Sequence, residues 1–157
     1  MKNMELKSNK KYALDTNILV YLGLNDEKFS TAAKTLFAEF KQNKIKPYIP
    51  DKCLYEYYSV ITNLEKLGKI THNQAKKNLD YFIDGASTII LSQTDYTHYL
   101  VRDLLEHKKV AGRYIHDVVV ISILLENQID CIITQNKKDF EGILGLEVLS
   151  LEDIVQV

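Results

Sequence analysis

Short apolar blocks alternate along this chain with longer stretches in which apolar residues recur every three or four positions. The first pattern predicts buried strands and the second amphipathic helices. Lys11 to Asp15 reads as a strand, and Asn17 to Leu24 as a helix leaving it directly, with Ile18, Leu19, Tyr21 and Leu22 on its apolar face. Asn25 to Lys28 is a polar break. Ser30 is placed to cap a second helix ending near Asn43, along which Ala33, Leu36, Phe37 and Phe40 keep helical spacing. Lys46 to Pro50 contains two prolines, which excludes a helix interior and fits a short strand. Asp51 then caps a third helix to about Leu67, with Leu54, Tyr58, Ile61 and Leu64 along one side and Gly68 as its stop.

The second half repeats the alternation. Thr71 caps a helix through Ile83 that Gly85 closes, and Ser87 to Leu91 is a strand rich in β-branched residues. A helix begins at Ser92 or Thr94 and reaches Lys109; Gly112 breaks the pattern. Arg113 to Asn127 is read as a helix in spite of its β-branched run, because the segment is long for a strand. Cys131 to Thr134 is a fourth strand, Lys137 to Phe140 a helical turn, Leu146 to Leu149 a last strand and Leu151 to Val155 a terminal turn. Strands separated by helices pair in parallel through crossovers, so the fold class is α/β with a mainly parallel central sheet flanked by helices. Residues 1–10 read as an N-terminal extension with the character of a flexible tail, and 11–157 as a single domain.

Composition narrows the function classes. A hydrophobic fraction of 46% with 26% charged residues fits a soluble globule. A net charge of −1 supplies no global attraction to nucleic acid, so any such contact depends on local patches: Lys41, Lys44 and Lys46, or Lys108, Lys109 and Arg113. Both patches also fit solvated helix ends. Cys53 and Cys131 lie far apart without a CxxC partner, which predicts buried reduced thiols and a cytoplasmic setting. The N-terminus lacks an apolar run of signal-peptide length, and the longest apolar stretch, Val118 to Leu125, is too short to span a membrane. No phosphate-binding loop, dinucleotide-binding turn or nucleophile elbow is present, and the histidines lack zinc spacing.

What remains is a set of carboxylates. Asp15 follows the first predicted strand, where open α/β sheets bind ligands, and Thr134 to Asn136 leaves the fourth strand in the same way. Glu56 and Asp117 fall in the early turns of helices that can lean over that edge, and Asp139 follows Asn136. Gathered together, these oxygens suit Mg²⁺ or Mn²⁺ and phosphodiester hydrolysis. Thr16 and Asn17 are placed to hold Asp15 from the strand-to-helix turn. Each residue also has a plain structural reading. Asp15 fits a helix cap, Glu56 a solvated helix charge, and Asp139 the far end of a capping box begun at Asn136. His116 beside Asp117 suits proton transfer, phosphate binding or simple exposure, and Tyr55, Tyr57 and Tyr58 suit base stacking, a core or a dimer contact.

The ordered set of Leu14-Asp15-Thr16-Asn17-Ile18-Leu19, the Glu56 segment, His116-Asp117-Val118 and Thr134 to Phe140 resembles the PIN-domain family, in its VapC-type toxin branch. The resemblance extends from Lys11 to Ile154. It implies a three-layer α/β/α domain, a Mg²⁺- or Mn²⁺-dependent endoribonuclease acting on RNA, a homodimer and an antitoxin protein partner. Asp15, Glu56 and Asp117 match the family's metal-holding acids and, with Asp139, its catalytic set. Thr16, Asn17, Thr134 and Asn136 take supporting places, and Asn136 stands where the family often has a further acid. That departure keeps open a catalytically inactive RNA- or protein-binding module. A phosphatase of the haloacid dehalogenase type needs a second acid two residues after the first, where this chain has Asn17.

Overall fold

A computed structural model describes residues 4–24, 28–65, 70–85 and 87–157. Among these residues five strands, β1 (Tyr12–Leu14), β2 (Tyr48–Pro50), β3 (Ile89–Leu91), β4 (Cys131–Ile133) and β5 (Glu147–Leu149), form one sheet in the order β3-β2-β1-β4-β5. Every pairing is parallel. Central β1 and β4 are buried throughout, as expected of strands covered on both faces, and this is why they read as unbroken apolar runs.

Among the described residues seven α-helices connect and flank the sheet: α1 (Thr16–Gly23), α2 (Ser30–Gln42), α3 (Asp51–Glu65), α4 (His72–Asp80), α5 (Asp95–His107), α6 (Ile115–Glu126) and α7 (Leu151–Ile154). The fifteen-residue segment beginning at Arg113 is indeed helical from Ile115, after a 3-10 turn over Gly112–Tyr114. Its apolar residues are buried on nearly every side, which removes the amphipathic signature that would have marked it as a helix. The helix predicted through Ile83 ends its α-helical part at Asp80 and continues as a π-helical turn, Tyr81–Gly85.

Two of the expected caps differ. Ser30 is the first residue of α2, and its hydroxyl donates to the carbonyls of Tyr21 and Leu24 instead of capping. Asp51 likewise opens α3 as a helical residue, with Oδ1 buried and, among the described residues, without a hydrogen-bond partner. Thr71 and Thr94 do cap, accepting from the amides of Gln74 and Tyr96. Residues 25–27 of the polar break, Leu67, Gly68 and the side chain of Leu64 lie outside the described residues.

From Met4 onward, the segment that sequence sets apart as an extension is attached to the domain. The Met4 amide donates to Asp153 O at 3.1 Å, the Lys7 amide to the buried Tyr12 hydroxyl at 2.8 Å, and Lys10 pairs with Glu147 at 2.5 Å. Met4 and Leu6 pack on the core formed by residues such as Tyr12, Leu36, Phe40, Ile61, Ile121 and Leu151.

Candidate active site

Strand order determines where a ligand can sit. The chain runs outward from β1 to β2 and β3, then returns to the other side of β1 to add β4 and β5. The carboxyl ends of β1 and β4 therefore flank the topological switch point, where crossovers diverge to opposite faces and leave a crevice. Leu14 is paired with Ile133, so the next residues, Asp15 and Thr134, face each other across that crevice.

Asp15 is 9% exposed and held from several sides. Oδ1 accepts the Thr16 amide at 2.7 Å; Oδ2 accepts the Thr134 hydroxyl at 2.7 Å and the Asn17 amide group at 3.1 Å. Asp15 is also the residue preceding α1, so the cap reading and the crevice reading describe one position. Asn17 closes the turn by accepting the Gln135 amide at 3.2 Å while donating to Thr134 Oγ1 at 3.2 Å. Thr134 is fully buried and additionally accepts the Asn136 amide at 3.0 Å. Thr16, Asn17 and Thr134 thus form one hydrogen-bonded clasp around the carboxylate.

Glu56 leans in from α3, where Thr16 Oγ1 donates to its Oε2 at 3.0 Å. Asp117 arrives from the first turn of α6 and Asp139 from the 3-10 turn Lys137–Asp139. Together with Asp15, Thr16, Asn17, Val20, Tyr21, Val60 and Asn136 they line one open cavity of ≈ 260 Å³. The capping box suggested for Asn136 and Asp139 is not formed: Asn136 makes no side-chain cap bond. This leaves the Asp139 carboxylate facing the cavity.

The charges respond to one another. Burial, followed by the negative charges of Asp139, Asp15 and Glu56, pushes the Asp117 carboxyl up to about 6. Burial also raises Asp15, against the donors that favour its ionised form, and Glu56 raises it further. No three of these carboxylates bring ligand atoms within 4.8 Å of one another; among the described residues that spacing occurs at Asp103, Glu106 and His107, on the exposed surface of α5. The cavity is an open, all-oxygen donor set bearing like charges, a chemistry that fits a hard divalent cation.

Sequence reasoning missed Cys53, whose buried thiol lies 3.8 Å from Asp15 Oδ1 and is pushed well above its usual range by burial and that carboxylate. Its position three residues before Glu56, one helical turn away on α3, was the available signal. His116, although adjacent to Asp117, lines a separate hollow with Asp51, Lys52, Tyr55, Glu56, Ser59 and Gln93. The tyrosine group divides: Tyr57 is core, Tyr58 contacts His72, and Tyr55 is exposed in that same hollow.

A parallel sheet with an acidic crevice at its switch point defines a class of α/β domains that bind ligands at the carboxyl ends of their strands. The family model described as PIN domain matches residues 11–138, and the chain belongs to the PIN-domain family. Among solved structures, VapBC2 from Rickettsia felis bound to a DNA fragment from its promoter matches with a TM-score of 0.65 and 21% identity, over 88% of this chain and 97% of that one. VapBC-1 from nontypeable Haemophilus influenzae matches with a TM-score of 0.61 and 18% identity, over 90% and 98%. The sarcin-ricin loop cleaving toxin VapC20 of Mycobacterium tuberculosis matches with a TM-score of 0.59 and 14% identity, over 78% and 87%. At these identities the likeness speaks for the fold. No curated protein matches the chain in sequence. Among the described residues no helix is long and apolar enough to cross a membrane.

Proposed function

We propose that this PIN-domain protein is a metal-dependent endoribonuclease, the toxin of a toxin–antitoxin pair. The observation that carries the reading is the convergence of Asp15, Glu56, Asp117 and Asp139 on one cavity at the switch point. Asp15, Glu56 and Asp117 would hold Mg²⁺ or Mn²⁺, and the all-oxygen donor set supports that class of ion over a softer one. A bound divalent ion lowers the pKa of a coordinated water and stabilises charge on the leaving oxygen.

The chain's own contribution is placement and proton handling. The clasp of Thr16, Asn17 and Thr134 fixes the Asp15 carboxylate, so no reorientation is needed when substrate arrives. Hydrolysis adds water across a P–O bond of RNA, and the water's proton must be accepted as the oxygen attacks phosphorus. Asp139 suits that role, because it lines the same cavity and is not among the three acids assigned to the cation. The leaving oxygen is protonated in turn, giving two shortened strands.

The partner assignments follow from the same reading: an antitoxin protein that covers the crevice, a homodimer, and action in the cytoplasm. Neighbours solved as VapBC, and one as a toxin-antitoxin complex, support an antitoxin partner. A second reading, a PIN-like binding module without catalysis, is favoured by Asn136, an amide lining the cavity where the family often has an acid. Incubation of purified protein with RNA, with and without Mn²⁺, beside Asp15→Asn separates the two. Mn²⁺-dependent cleavage that Asp15→Asn loses is expected; metal-independent cleavage, or full activity in the variant, would overturn the nuclease reading.

A further inference from the structure

A second hollow, of ≈ 430 Å³, adjoins the acidic cavity; it shares Asp117 and Asp139 and is lined elsewhere by Lys108, Lys109, Tyr114 and Lys138. All three lysines are exposed, and among the described residues none of their ammonium groups has an ion-pair or hydrogen-bond partner. Lys137, the sequence neighbour of Lys138, is by contrast held by Asp153 at 3.0 Å.

Local geometry places these cations beside the carboxylates. Lys108 is the C-cap of α5, Gly112 turns the chain with a φ of +58°, and Tyr114, 50% exposed, ends the 3-10 turn that leads into α6 and Asp117. Lys138 comes from the other wall, on the same short turn as Asp139. The short turn that carries Asp139 therefore also carries an unpaired cation, and the end of α5, which precedes the turn into α6 and Asp117, carries two more.

We propose that this hollow seats the single-stranded RNA flanking the scissile phosphate, with Lys108, Lys109 and Lys138 taking backbone phosphates and the Tyr114 ring stacking on a base. The proposal rests on the nuclease reading of the adjoining cavity. A polyanion approaching four carboxylates is repelled, and a chain of net charge −1 offers no compensating field at long range, so attraction must come from cations beside the site. The half-exposed ring supplies the stacking surface that single strands present bases to and duplexes do not. Arg113, 5.8 Å from the Tyr114 ring centroid, adds a further cation to that surface.

Fluorescence anisotropy tests this with an end-labelled RNA of mixed sequence, about ten nucleotides long, held in EDTA over a series of KCl concentrations. Lys108→Ala/Lys109→Ala/Lys138→Ala is expected to bind at least tenfold more weakly, with the slope of log affinity against log salt shallower by about 2, at roughly 0.7 for each phosphate no longer neutralised. Tyr114→Ala is expected to weaken binding about fivefold or more with the slope kept. Lys41→Ala/Lys44→Ala/Lys46→Ala removes the same charge from the residues before β2, at the opposite edge of the parallel sheet, and is expected to match wild type. Unchanged affinity and slope in the Lys108 variant, or an equal loss in the Lys41 variant, overturns the assignment. Blunt duplex RNA bound as tightly as single strand, with no effect of Tyr114→Ala, overturns the stacking role. Wild type that binds through the lysines yet cleaves nothing with Mn²⁺ retains the groove and loses the nuclease.

Discussion

Thr134 donates its hydroxyl to Asp15 Oδ2 at 2.7 Å, joining the exits of two neighbouring strands whose residues lie 119 positions apart in the chain. Thr134→Val keeps the shape and removes the donor, while leaving Asn17 and Asn136 without their buried acceptor. Urea unfolding is expected to report a loss of about 1–3 kcal/mol. Calorimetry is expected to show Mn²⁺ affinity falling by about 10–100-fold, the usual scale for removing a group that orients a ligand. Undiminished Mn²⁺ affinity would mean that Thr16 and Asn17 suffice to aim Asp15.

Asp117 stands among like charges, so its neutralisation has opposite effects on stability and activity. Asp117→Asn is expected to raise the melting temperature of the metal-free protein at neutral pH by about 2–4 °C, the shift that accompanies roughly 1 kcal/mol in a chain of this size. Cleavage is expected to be lost in the same variant. A lower melting temperature would contradict the repulsion assigned to this cavity.

The same group sets a pH window. Its folded-state pKa of about 6 lies above the ordinary 3.8, so the stability it contributes is fully present below the lower value and is lost as pH rises through the higher one. Cation binding acts in the other direction, because it requires the ionised carboxylate. Thermal shift with added MnCl₂ is therefore expected to give a larger increment at about pH 7.5 than at about pH 5. Equal increments would separate the cation from Asp117.

Asn136 and Asp139 line the cavity together, and their substitution distinguishes which of them completes it. Asp139→Asn is expected to lower cleavage by about 10²-fold or more, the scale of a lost proton acceptor, whereas Asn136→Ala is expected to retain most activity. Asn136→Asp is expected to tighten Mn²⁺ and to lower metal-free stability, since it adds another like charge. If Asn136→Ala proves as damaging as Asp139→Asn, the amide itself takes part.

Much of this architecture is legible locally. Tyr12-Ala13-Leu14 and Cys131-Ile132-Ile133 announce buried strands by apolar continuity, and Asp15 stands out because a charge directly follows such a run. Asp117 stands out in the same way, ahead of an apolar helix. The clasp is not legible, because hydrogen bonds between Asp15 and Thr134 depend on strand register, which no local periodicity encodes. Cys53 escaped for a related reason: its proximity to Asp15 follows from how α3 packs against the start of α1, and a lone cysteine among apolar residues looks like core. Ser30 misled because its hydroxyl reaches the Tyr21 and Leu24 carbonyls at the end of α1, a tertiary contact that outcompetes capping.

The crossover that returns the chain to β4 has a temporal meaning. During synthesis, Asp15 and Glu56 leave the ribosome long before Thr134 and Asp139 exist, so the carboxylate set closes only after strand β4 has been made and inserted beside β1. On the nuclease reading, a nascent chain that has not yet added β4 to the sheet therefore lacks part of the carboxylate set.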